Sequence, residues 1–217
     1  MRIINNWKVN VINDNPTFPF IVVDNWYNEA EEKAVWKELD FLSALPRENI
    51  DRAETTIVAR NPDGTARSNA YRWYLEGVYN QENRHHSHIW NCQYKQRSPE
   101  FHKHIMQCMP YGRSFLSSDK DSTLLSYYED NDHYKPHHDT FHWTNLIWMV
   151  REPRLFDGGD FTLNEPNIEV KLKHNRAVFF PCCYLHSVSP VKFHTKPKEI
   201  GYGRYTITHF YYSTPSG

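Results

Sequence analysis

The chain has 217 residues, 39% of them hydrophobic and 15% aromatic, and a formal net charge of −1. A chain of this length buries a sizeable core without disulfides or a structural metal, and its near-zero charge argues against nucleic acid as a partner. No apolar run of about 18 residues exists, so no membrane span is expected, and the opening MRIINNWKVN lacks a signal-peptide core; a cytoplasmic protein is expected.

In chain order, the first strand is predicted over Phe18 to Val23. Asn28 then opens NEAEEKAVWKELDFL as a helix, with Glu31 three residues on as in a capping box. Ala34, Val35, Leu39, Phe41 and Leu42 make its apolar stripe. The polar, turn-rich stretch from Pro62 to Gln93 reads as long loops or a hairpin outside the core. Loops of that length often serve as lids or binding loops, with Arg67, Arg72, Trp73 and Tyr74 as candidate substrate contacts. A second helix starts at Ser98 with Pro99 in its first turn and stops before Pro110. From Thr123 onward the pattern changes to short strands: TLLSYYE, TNLIWMV, DFTLN, IEVKL, RAVFFP, SVSPV and RYTITHFYYS. Asn131-Asp132, Asp157-Gly158-Gly159, Lys173-His174-Asn175 and Gly201 to Gly203 punctuate them as turns. Even spacing, with helices confined to the N-terminal side, argues for two packed sheets in a mainly β, α+β fold.

Cys92, Cys108, Cys182 and Cys183 include no CxxC pair, so a zinc ribbon is not expected and free thiols are. The chemistry sits elsewhere. In YKPHHDTFH, His137 and Asp139 are two residues apart, and on a strand they share a face that His138 does not. His186 follows after FFP and the short turn CCYL. Two histidines and one carboxylate, with further coordination positions open, form the facial triad of non-haem iron(II) oxygenases. The bare His-x-Asp is weak evidence, because it arises by chance on the order of once in a chain of this composition. Its place in the strand-rich half, beside a proline that bars central-ladder pairing, strengthens it. His133, His138, His142 and His209 read as packing or surface histidines, and His85, His86 and His88 with Cys92 as a solvated loop.

The order of an aromatic strand (LLSYYEDNDHYKPHHD), DGGDFTLNE, RAVFFPCCYLHSVSPV and GRYTITHFYY, behind PFIVVDNWYNEAEEKAVWKELDFL, resembles the prolyl-4-hydroxylase-like 2-oxoglutarate/iron(II) dioxygenases. The resemblance implies a double-stranded β-helix (jelly-roll) core at 121–217, with N-terminal helices, strands and a substrate loop at 1–120, in one oxygenase domain over 1–217. It implies His137, Asp139 and His186 as ligands of Fe(II). It makes Arg204 the partner of the distal carboxylate of 2-oxoglutarate, with Tyr127 hydrogen-bonding the same carboxylate and Thr206 lining the same pocket. Arg204 lies 18 residues after His186, further than is usual in the family; Lys196 stands at the ordinary spacing. Arg204 is preferred because it opens a strand, whereas Lys196 precedes Pro197 in a turn-rich segment.

The implied reaction uses O2, with ascorbate as an auxiliary reductant, and couples decarboxylation of 2-oxoglutarate to hydroxylation of a C–H bond. The presence of Asp139 favours hydroxylation over halogenation, because related halogenases lack this carboxylate. The first expectation for the substrate is a prolyl residue in a peptide or protein. The alternatives are a free amino acid, another small molecule or a nucleobase, and, from another class, a non-catalytic jelly-roll binding module. The oligomeric state is left open.

Overall fold

The computed structural model describes residues 7–12, 16–45, 58–109, 111–195, 197 and 199–214. In chain order the elements are β1 (Lys8–Ile12), β2 (Phe20–Asp24), α1 (Glu29–Ser43), β3 (Tyr71–Tyr74), α2 (His88–Asn91), α3 (Pro99–Cys108), α4 (Arg113–Leu116) and β4 (Lys120–Tyr128). There follow β5 (Tyr134–His137), β6 (Trp143–Met149), β7 (Phe156–Gly158), β8 (Phe161–Leu163), β9 (Ile168–Val170), β10 (Arg176–Pro181), β11 (His186–Val188), β12 (Val191–Phe193) and β13 (Arg204–Tyr212).

A seven-stranded sheet runs β1-β2-β10-β6-β13-β4-β3, and a four-stranded sheet runs β5-β11-β8-β9. β7 and β12 pair separately, and the pairings are antiparallel throughout. The two larger sheets pack face to face. Trp148 of β6 and Phe180 of β10 bring their rings against Phe161 of β8, at centroid distances of 6.2 and 5.2 Å. This is the jelly roll; the strands expected from Thr123 onward form, except that SVSPV is broken at Ser189-Pro190 into β11 and β12, which lie in different sheets, while β5 and β7 are additional.

Helices cover the other face of the large sheet. Phe101 of α3 and Phe115 of α4 both meet Phe179 edge-on, and Phe115 also meets Tyr211. Trp36 of α1 does the same with Tyr205. Asn28 caps α1 through the expected capping box with Glu31, and Ser98 caps α3 ahead of Pro99.

The structure corrects two details. Phe41 leaves the apolar stripe of α1 and is exposed. The buried line is Val35, Glu38, Leu39 and Leu42, the spacing of one helical face. Glu38 is tolerated there because Ser87 Oγ and the Ile89 N–H donate to its carboxylate, at 2.7 and 2.8 Å. The polar stretch from Pro62 to Gln93 also joins the core: β3 adds an edge strand to the large sheet, and Leu75, Ile89 and Trp90 are buried.

Candidate active site

β5 and β11 pair so that His137 and His186 are direct cross-strand partners. Partners in an antiparallel pair leave the same face, and the two rings lie 4.2 Å apart, centroid to centroid. Asp139 arrives differently from the strand alternation expected. β5 ends at His137, and Asp139 lies in the following turn, where its N–H donates to the Cys182 carbonyl at 3.1 Å. The Thr144 hydroxyl donates to Asp139 Oδ2 at 2.7 Å, so both main chain and side chain are fixed. His137 Nε2 is 3.8 Å from one carboxylate oxygen of Asp139, and His186 Nε2 is 3.6 Å from the other. All three potential ligand atoms fall within 4.8 Å of one another, the one such group among the described residues.

The imidazoles are oriented for ligation. Nδ1 of His137 donates to the Lys135 carbonyl at 2.9 Å, and Nδ1 of His186 to the Tyr184 carbonyl at 2.8 Å. A carbonyl only accepts, so each Nδ1 carries the proton and each Nε2 presents a lone pair to the shared space. Burial, with His186 alongside, pushes the His137 pKa down to about 2, which keeps it in the neutral, ligating form. Two neutral imidazole nitrogens and one carboxylate oxygen suit Fe(II).

Arg204 opens β13 and is fully buried. Its Nη1 donates to the Thr206 hydroxyl, while Nε and Nη2 have no partner. The rings of Tyr128 and Trp148 sandwich the guanidinium, at 4.8 and 5.5 Å. Burial lowers its pKa to about 10, which still leaves a cation at neutral pH. Gly159 closes over it: a Cβ there would stand 2.8 Å from Arg204 Cδ, and φ is +70°, a conformation that favours glycine. A buried guanidinium with two unmet donors suits a carboxylate, whose two oxygens accept from its planar fork.

His137, Asp139, His186, Arg204 and Thr206 all line one cavity of about 390 Å³. Its floor follows from sheet register. Tyr128 pairs with Arg204, Ser126 with Thr206 and Leu124 with Thr208, and all six face the cavity. Tyr127 does not. It pairs with Tyr205 on the opposite face, and its hydroxyl accepts from the N–H groups of Gly201 and Gly203, at 2.8 and 3.1 Å. The place expected for Tyr127 beside Arg204 is taken by Tyr128. Of the contacts expected from the polar stretch, Arg72 and Tyr74 reach the cavity. Trp73 turns to the other face of β3, and Arg67 donates to the Pro136 carbonyl at 2.5 Å. Tyr134, which no sequence argument singled out, stacks on His137 with centroids 3.4 Å apart. Its position three residues before His137 was the available signal. Lys196 lies outside the described residues.

Residues 123–212 match the family model of the 2OG-Fe(II) oxygenase superfamily. Its reaction takes Fe(II), 2-oxoglutarate and O2, and the protein is an oxygenase of that kind. The fold is similar to that of solved prolyl hydroxylases. A Pseudomonas putida prolyl-4-hydroxylase aligns with a TM-score of 0.58 at 15% identity, over 93% of this chain and 96% of that one. A prolyl hydroxylase from Trichoplax adhaerens, in complex with a hypoxia inducible factor oxygen degradation domain peptide fragment, aligns with a TM-score of 0.55 at 14% identity, over 93% and 85% of the two chains. A Burkholderia pseudomallei oxidoreductase of the 2OG-Fe(II) oxygenase family gives 0.53 at 12%, over 91% and 88%. The curated proteins contain no sequence match. Among the described residues, no helix is long and apolar enough to cross a membrane.

Proposed function

We propose that His137, Asp139 and His186 hold Fe(II), that Arg204 and Thr206 bind the distal carboxylate of 2-oxoglutarate, and that the protein hydroxylates prolyl residues in a peptide or protein. The observation that carries this reading is the meeting, in one cavity, of a three-ligand group with a buried arginine two of whose nitrogens have no hydrogen-bond partner. When bound, the metal and cosubstrate supply oxidation: one atom of O2 enters succinate as CO2 leaves, and the other enters the hydroxyl of the product.

The chain's own part is placement. Carbonyls of Lys135 and Tyr184 fix the two imidazole tautomers. Thr144 holds the carboxylate of Asp139. Arg204 fixes the far end of the cosubstrate, and so the direction in which its keto acid end points. Leu124, Phe141, Leu146, Val188 and Phe210 give the cavity apolar walls that limit water around the reacting centre and suit an uncharged pyrrolidine ring. The prolyl assignment draws on the fold shared with prolyl hydroxylases, one of them in complex with a peptide.

The test is succinate formation from 2-oxoglutarate with Fe(II), ascorbate and air, for the wild type and His137→Ala, together with mass analysis of proline-containing peptides. The expected result is turnover lost by more than about 100-fold in the variant, since even groups that merely orient a metal ligand are worth 10–100-fold, and a peptide that gains one oxygen on proline. A wild type that neither binds Fe(II) nor consumes 2-oxoglutarate would overturn the metal site. Oxidation of other substrates alone would overturn only the prolyl assignment.

A further inference from the structure

Arg204 is not the cavity's only unsatisfied guanidinium. Arg72, on β3, is 5% exposed and lines the same space. Its Nη2 donates to Ser68 Oγ, while its Nη1 is buried without a partner, and among the described residues no carboxylate forms an ion pair with it. Its guanidinium lies over the Tyr134 ring at 4.8 Å, and that ring lies on His137. Arg72 is therefore one aromatic layer away from the metal-ligand group, where a reacting substrate would sit.

The count of anions decides what Arg72 is for. Under the reading above, 2-oxoglutarate presents its keto acid end to the metal and has one distal carboxylate left. Arg204 is enclosed by Gly159, Tyr128 and Trp148 and backed by Thr206; it takes that carboxylate. Arg72 is aligned with Ser126, and Ser126 with Thr206, so Arg72 and Thr206 start from backbone positions two strand spacings apart, about 10 Å. A carboxylate held by Arg204 and Thr206 at the centre of the sheet leaves Arg72 at its edge without a counter-ion among the described residues. Burying a guanidinium this way is unfavourable unless an anion completes it.

We infer that Arg72 anchors a carboxylate of the substrate, so that the molecule hydroxylated is an acid whose carboxylate lies close to the reacting carbon. This rests on the oxygenase reading of the site. Two sources offer that group: the α-carboxylate of a free amino acid, and an acidic side chain next to a proline in a peptide.

The experiment measures 2-oxoglutarate consumption stimulated by two matched pairs, L-proline against L-prolinamide, and a proline tetrapeptide with Glu against the same peptide with Gln beside the proline. In the wild type, the acid of one pair is expected to exceed its amide by roughly 30-fold in kcat/KM, the scale of a hydrogen bond to a charged group. The pair that responds identifies the source. Arg72→Gln is expected to bring that ratio within about threefold, and Arg72→Lys, which keeps the charge without the fork, to restore part of it. Arg204→Gln is expected to raise the KM for 2-oxoglutarate far more than Arg72→Gln does.

Equal use of acid and amide in both pairs, stimulation by neither member of either pair, or a preference that survives Arg72→Gln would each overturn the inference. So would an equal rise in the 2-oxoglutarate KM in both arginine variants. In all four cases wild-type consumption of 2-oxoglutarate leaves the oxygenase reading intact. Absence of Fe(II) binding and of any 2-oxoglutarate consumption in the wild type would instead overturn that reading.

Discussion

The two faces of β13 are both buried from Arg204 to Tyr211, yet they are built for different ends. Tyr205, Ile207, His209 and Tyr211 point to the helix side. There Tyr205 shares a hydrogen bond with Ser43 of α1 at 2.5 Å, His209 Nδ1 meets Gln93 and Thr123 at 2.8 and 2.9 Å, and Tyr211 packs on Phe115. Arg204, Thr206, Thr208 and Phe210 point to the cavity, where a guanidinium keeps two donors without partners. One face is packed against the helices and the other lines the cavity. Low exposure alone does not tell the two apart, nor does an unmet polar atom alone, since Tyr211 Oη on the helix face is also buried without a partner; an unmet group that lines a cavity does.

The largest effect that would test this contrast is on the helix side. Ile207→Ala, at a fully buried position, is expected to destabilise the fold by about 3 kcal/mol in denaturant unfolding, with the KM for 2-oxoglutarate in the folded fraction little changed. A cavity-side change should do the reverse. Arg204→Met is expected to raise the KM for 2-oxoglutarate by about 100-fold, yet to melt higher than wild type without 2-oxoglutarate, because an unpaired buried charge has gone. Added 2-oxoglutarate should stabilise the wild type and leave the variant nearly unmoved. A lower melting point for the ligand-free variant would mean that Arg204 serves the fold.

Adjacent tyrosines give a smaller test of the same parity. Tyr127→Phe removes the acceptor of two buried N–H groups and should lower stability by about 1–2 kcal/mol without a shift in KM. Tyr128→Phe should shift the KM for 2-oxoglutarate a few-fold at little cost in stability. The mildest test is acid titration. Burial holds the His209 pKa at about 3, against an ordinary 6.5. Between these values the unfolded chain binds the proton and the folded chain does not, so stability falls as pH drops through that window. His209→Gln should flatten that part of the stability profile relative to wild type. An unchanged profile would mean that His209 is not the group resisting protonation.

Parity also marks what could be read before folding. His137, Asp139 and His186 were legible because ligand chemistry demands those residue types, and the strands after Thr123 because their turns are punctuated by Asn, Asp and Gly. The capping box at Asn28 and the Ser98-Pro99 start are local signals, and both hold. The choice between Tyr127 and Tyr128 is not local. Counting back from His137 crosses the turn at Asn131, where φ is positive, and alternation does not carry through it. Only the pairing of Tyr128 with Arg204, some 76 residues away by sequence number, fixes the face. Arg72 is one of four candidate contacts in a stretch whose sequence reads as long loops or a hairpin. Its strand exists because β4 supplies hydrogen bonds along an edge, which the polar composition of that stretch does not announce.

The edge position of β3 separates two things that can change independently over evolutionary time. Arg204 is locked into a strand paired on both sides, between β4 and β6. Arg72 sits on an edge strand whose one strand neighbour among the described residues is β4. A lineage can therefore replace, lengthen or lose the segment that chooses the substrate while inheriting unaltered the ladder that holds the oxidising machinery.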